Sequence, residues 1–123
     1  MAADPIKVIS SCPESPNCVS TLTKQADKLM LPISFEEPSE KVLETIQRVV
    51  LKTPRTKLIE KSNHFLHFVF TSAVLRFKDD VYFFVDTKNK RIHFKSQSRV
   101  GYSDMGANRQ RMTAISKKIQ EQL

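Results

Sequence analysis

No stretch of this chain approaches the ~18 to 20 consecutive apolar residues that a membrane-spanning helix requires, so no helical span is expected. The first residues, MAADPIKVISSCPESP, lack an apolar segment of the length a secretory signal needs. A cytoplasmic protein is therefore expected by default, or a cell-envelope protein if an export segment lies outside this chain. Glycine is scarce, with only Gly101 and Gly106, and neither a P-loop nor a dinucleotide glycine fingerprint is present. A nucleophile elbow and a His-Glu metalloprotease pair are also missing. The two cysteines, Cys12 and Cys18, are spaced neither as a redox Cys-x-x-Cys nor as a usual zinc pair. Histidine adds little, because His64 and His67, three apart on a strand, point to opposite faces and His93 stands alone. No metal and no cofactor are expected.

What the chain does have is an ordinary globular balance, 40% apolar and 27% charged, over 123 residues, enough for one buried core. Its net charge of +7 is unevenly placed. Between Lys88 and Lys118 nine basic residues face one acid, Asp104, so that segment alone carries +8. Such a concentration favours anionic partners, or else forms a solvated basic face with no specific partner. Nucleic acid is not favoured, because no recognised motif occurs and only Phe94 and Tyr102 interleave the basic stretch.

Residues 1–37 hold four of the six prolines and no sustained period, which predicts an irregular arm ahead of a single α+β domain over 38–123. Val42, Leu43, Ile46, Val49 and Val50 share one helical face and predict a helix over about 39–52. TKLIEK and HFLHFVFTS, separated by Ser62-Asn63, read as a hairpin; VYFFVD and RIHFKSQS, joined through 87–90, read as a second. Asp79 and Asp80 are expected to end the turn before the third strand. A final helix over about 104–121, capped by Ser103 or Asp104, carries a stripe of Met105, Met112, Ile115 and Ile119. The expected architecture is a two-layer α+β sandwich, a four-stranded antiparallel sheet covered on one face by two helices.

Asn108 falls between Ile115 and Ile119 in angle, so its amide must find partners against the sheet or face a cleft. Arg99 and Arg109 beside a helix N-terminus would make an anion site, with Tyr102 supplying a hydroxyl. Alternatively, Asp79 or Asp80 paired with Arg99 or Arg109 would staple the loop before the last helix to the sheet. The candidate ligand-binding set is Arg99, Tyr102, Ser103, Asp104, Asn108, Arg109, Asp79 and Asp80, with no catalytic residue assigned.

CPESPNCVS, LRFKDDVYFFVD and SRVGYSDMGANRQRM are similar to three signature blocks of the domain of unknown function family 1499, a resemblance that covers nearly the whole chain. Residue by residue, its hallmark positions fall on Cys12, Cys18, Asp79, Asp80, Arg99, Gly101, Ser103, Asp104, Gly106, Asn108 and Arg109. The resemblance implies no reaction, since none is established for the family. It implies relatives that are often bacterial, with plastid members, and often preceded by a signal, lipid-attachment or membrane segment, from which this chain departs. Cys12 and Cys18 enclose two prolines that could bring the sulfurs together, in a bridge worth roughly 2 kcal/mol in the chain-entropy model, or they remain free thiols in a reducing compartment.

The expected function is thus that of a small non-catalytic binding or interaction domain, with an anionic small molecule or a protein as partner. The alternatives are an enzyme acting on an anionic small molecule through Asp79, Asp80 and Arg99, and an electrostatic binder of membrane surfaces or nucleic acid.

Overall fold

The computed structural model describes residues 4–100 and 106–123. The four expected strands are present as β3 (Thr56–Lys61), β4 (Phe65–Thr71), β5 (Lys78–Asp86) and β6 (Arg91–Ser98), an antiparallel meander. Two further strands, β1 (Cys18–Ser20) and β2 (Ile33–Ser34), both pair with the outer edge of β6. The sheet therefore has six strands rather than four, in the order β1-β6-β5-β4-β3 with β2 also beside β6. The extra two come from the segment expected to be irregular. Strands of three and two residues show no period of their own, and their pairing is fixed by backbone groups of β6 that lie far away in sequence.

Alternation along the long strands builds the core. Leu66, Phe68 and Phe70 of β4, Val81, Phe83 and Val85 of β5, and Ile92 and Phe94 of β6 face the same way and are buried. Helix α2 (Ser39–Leu51) brings Val42, Leu43, Ile46, Val49 and Val50, and α3 (Ala107–Gln122) brings Met112, Ile115 and Ile119 to that face. Phe83 is central, its ring 5.9 Å from Phe68 and 6.4 Å from Phe94. Each such ring contributes roughly 1.5–3 kcal/mol of burial.

The two expected helices thus cover one face, as the apolar stripes require. A third helix, α1 (Pro5–Ser10), capped by Asp4, lies against β5 and β6 on the opposite face and buries Ile9 there. Gly106, at φ 81°, takes the left-handed conformation that lets the chain enter α3. The capping residues expected for that helix, Ser103 and Asp104, lie outside the described residues, as do Gly101, Tyr102 and Met105.

β5 starts at Lys78, so Asp79 and Asp80 belong to the ladder instead of ending a turn. Both carboxylates find cationic partners on the sheet faces, which lets charged residues occupy a strand.

Candidate functional site

On the helix-covered face, Asn108 is fully buried, as its angular position on α3 predicts. Its Oδ1 accepts from Ser96 Oγ at 2.5 Å and from Arg111 Nη1 at 3.0 Å. Its Nδ2 donates to Ser98 Oγ at 3.0 Å and to the carbonyl of Asn17 at 3.3 Å. One amide thereby ties α3 to β6 and to the N-terminal segment. Arg111 extends the network: Nη2 donates to Asp79 Oδ2 at 2.7 Å, and the guanidinium sits 4.8 Å from the centre of the Phe70 ring. Nothing in the candidate set singled out Arg111, although it lies three residues after Asn108 and so on the same side of the helix.

The opposite face carries a second network. Arg99 clamps Asp80 with two hydrogen bonds, Nε to Oδ2 at 2.8 Å and Nη2 to Oδ1 at 3.0 Å. His67 Nε2 meets the same Oδ1 at 2.7 Å. The His67 ring stacks on Tyr82 at 4.2 Å, and Lys95 Nζ lies 5.2 Å from the Tyr82 centroid while donating to the carbonyl of Ser11 at 2.7 Å. Burial pushes the Asp80 carboxyl up, but the hydrogen bonds from Arg99 and His67 outweigh it and hold the group below its ordinary range. Burial also lowers the Lys95 ammonium and raises the Tyr82 hydroxyl.

Asp79 and Asp80 consequently point to opposite faces, and the structure gives them no shared space for a substrate. Arg99 and Arg109 are also kept apart. Arg109 donates to the carbonyl of Asp27 at 2.9 Å and borders a small cleft of 150 Å³ with Gly106, Asp27 and Lys28, away from Arg99. The basic segment 88–118 does not form one face either: Arg111 is in the helix-side network, Lys95 is buried under α1, and Lys90 pairs with Glu36.

A strongly basic cleft lies elsewhere. A cleft of 440 Å³ is lined by Arg55, Lys57, Arg76, Lys78 and Arg99, with Val69 and Thr71 among its walls and, among the described residues, no acidic side chain. Register explains it. Lys57 lies opposite Val69, which lies opposite Asp80; the Arg55 carbonyl accepts from Thr71 N, Thr71 lies opposite Lys78, and the Lys78 carbonyl accepts from Arg99 N. Two cross-strand rows thus bring together cations from three separate stretches of chain. Among the described residues, Arg99 is the only one of the five that makes an ion pair. A roomier cleft of 580 Å³, beside the start of α2, sets Glu40 and Glu44 against Lys61 and has no single sign. The candidate set contained only Arg99 of the basic cleft; the signal for the others was the basic pairs Arg55-x-Lys57 and Arg76-x-Lys78 flanking the β4 strand.

Among the described residues, no group of three His, Cys, Asp or Glu side chains could hold a metal ion. No helix among them is long and apolar enough to cross a membrane. Cys12 and Cys18 are joined in a disulfide, which closes the loop between α1 and β1. No curated protein matches the chain. The family model described as protein of unknown function (DUF1499) matches residues 8–119, spanning the disulfide, both polar networks and the basic cleft, and the chain belongs to that family.

Proposed function

We propose that this protein is a non-catalytic binding domain that takes an anionic ligand in the cleft lined by Arg55, Lys57, Arg76, Lys78 and Arg99. The observation that carries this reading is the sign of that lining: among the described residues, five cations and no acid around 440 Å³. Only Arg99 of the five has an acidic partner among the described residues, and like charges gathered with so little counter-charge repel one another and are relieved by an anion. Three of the five are arginines, whose planar guanidinium matches phosphate and carboxylate oxygens in pairs. Arg99 is fixed from behind by Asp80, and the Arg55 guanidinium is pinned to the Thr71 carbonyl at 3.0 Å, so part of the lining is ordered before any ligand arrives.

Calorimetric titration with pyrophosphate and with phosphorylated sugars tests the reading. Saturable binding that Lys78→Ala and Arg76→Ala each weaken about tenfold, with unchanged melting temperature, supports it. Absence of saturable binding by any of these anions overturns it.

A further inference from the structure

The basic cleft adjoins an exposed apolar tip. The loop between β4 and β5 presents Val74 at 87%, Leu75 at 69% and Phe77 at 49% exposure, and Ile59 and Val100 are also open to solvent. These side chains are not the free end of a loose loop. Ser72 N donates to the Phe77 carbonyl at 2.9 Å, and Phe77 N donates to Ser72 Oγ at 2.9 Å, closing the loop at its base. Arg76, between the apolar residues, has a left-handed backbone at φ 59° and lines the cleft. The start of β3, the end of β4, the start of β5 and the end of β6 all lie at this end of the sheet. One end of the sheet therefore carries an exposed apolar loop beside a cation-lined cleft.

Resting on the anion-binding reading above, we propose that the occupant of this surface is an anionic lipid bilayer, with Val74, Leu75 and Phe77 entering the acyl boundary and the five cations meeting headgroup phosphates. Charge complementarity selects the bilayer's sign, and the apolar tip selects a partner with a hydrocarbon layer beneath its phosphates. A nucleic acid supplies the first and leaves Val74 and Leu75 in water. Attraction by basic residues alone would be weak and reversible; the inserted side chains add the apolar contact that charge lacks.

The test is flotation of the full chain with vesicles of phosphatidylcholine alone and of phosphatidylcholine mixed equally with phosphatidylglycerol. Binding is expected to the mixed vesicles only, and to weaken as salt rises from about 50 to about 500 mM. The double variant Val74→Ser, Leu75→Ser, at exposed positions that leave the core intact, should lose vesicle affinity at least about tenfold while keeping its affinity for pyrophosphate. The double variant Arg76→Glu, Lys78→Glu should lose both. If wild-type protein binds pyrophosphate but not mixed vesicles, the bilayer inference falls and the anion site stands. If it binds neither, both fall. Vesicle binding that the serine variant leaves unchanged overturns insertion. Self-association that the serine variant abolishes, without vesicle binding, assigns the tip to a second copy and also overturns it. Short duplex DNA bound as tightly as mixed vesicles, with no effect of the serine variant, does the same.

Discussion

Asp79 and Asp80 are consecutive in β5, yet their carboxylates serve separate networks on the two faces of the sheet, Asp79 held by Arg111 from α3 and Asp80 by Arg99 and His67. Because strand side chains alternate, the two groups act independently. Asp79→Asn should cost about 2 kcal/mol, since Arg111 is left mostly buried with its counter-charge gone, and should leave pyrophosphate binding unchanged. Asp80→Asn removes the one counter-charge behind Arg99 in the cleft and should tighten pyrophosphate binding several-fold, the gain in positive potential exceeding the lost bracing of Arg99, while lowering stability less. Thermal melts and calorimetry on the two variants check this, and equal effects of both substitutions on anion affinity would contradict it.

The helix-side network predicts a steep response at Asn108. Asn108→Ala removes at least four hydrogen bonds, with Ser96, Arg111, Ser98 and the Asn17 carbonyl, for an expected loss of about 2–3 kcal/mol. For a chain of this size, about 4 °C of melting temperature corresponds to each kcal/mol. Arg111→Lys should cost about 1–2 kcal/mol, because an ammonium cannot reach Asp79, Ser96 and Asn108 at once while lying over Phe70. A fall of under about 2 °C for Asn108→Ala would show that the network is not holding α3 to the sheet.

The expected pH dependence has two stages. Burial lowers the His93 imidazole, whose Nδ1 lies 2.9 Å from Thr21 Oγ1. The unfolded chain binds a proton at its ordinary value of about 6.5 while the folded chain resists it, so stability is full above about pH 6.5 and declines as pH falls toward the folded value. Asp80 acts further down. Its folded value is below the ordinary one of about 3.9, so its contribution is present above that value and is lost as pH falls through the folded value. Asp86, held low against burial by its hydrogen bonds to Asn89 and Lys88, shares the second window. Urea midpoints measured across pH should show His93→Gln flattening the first decline and Asp80→Asn lessening the second. A midpoint that does not move between pH 7 and pH 5 would contradict the role given to His93.

The α2 and α3 stripes and the four long strands were legible because each repeats a period several times within one segment. β1 and β2 were not, since Cys18, Val19 and Ile33 have only β6 to define them. The burial of Asn108 could be read from helical angle alone. The basic cleft could not: Arg55, Lys57, Arg76, Lys78 and Arg99 converge through register, which depends on which strands are neighbours. The local run of charge over 88–118 pointed away from it, toward residues such as Arg111 and Lys95 whose charges are used inside the fold. The pairing of Asp80 with Arg99 was one of four pairings open from sequence, and only cross-strand geometry selects it.

The disulfide between Cys12 and Cys18 gives a prediction that separates the N-terminal segment from the cleft. Its ring ends on β1, whose Cys18 lies opposite Gln97, and Asn17 just before it supplies the carbonyl that Asn108 uses. Reduction enlarges the conformational freedom of the unfolded chain and should cost roughly 2 kcal/mol, about 8 °C, in the chain-entropy account. Cys12→Ser with Cys18→Ser should melt at the reduced protein's temperature and be indifferent to reductant. Because four of the five cleft cations lie at or near the starts of β3 and β5, beyond β6 from β1, amide exchange should quicken at Val19 and Ser20, whereas pyrophosphate affinity should largely hold. A bridge of this size would persist only in an oxidising compartment. Trapping the cysteines in intact cells therefore tests where the folded protein works: an oxidised pair places it outside a reducing cytoplasm, and free thiols there would mean that the less stable reduced form is the one in use.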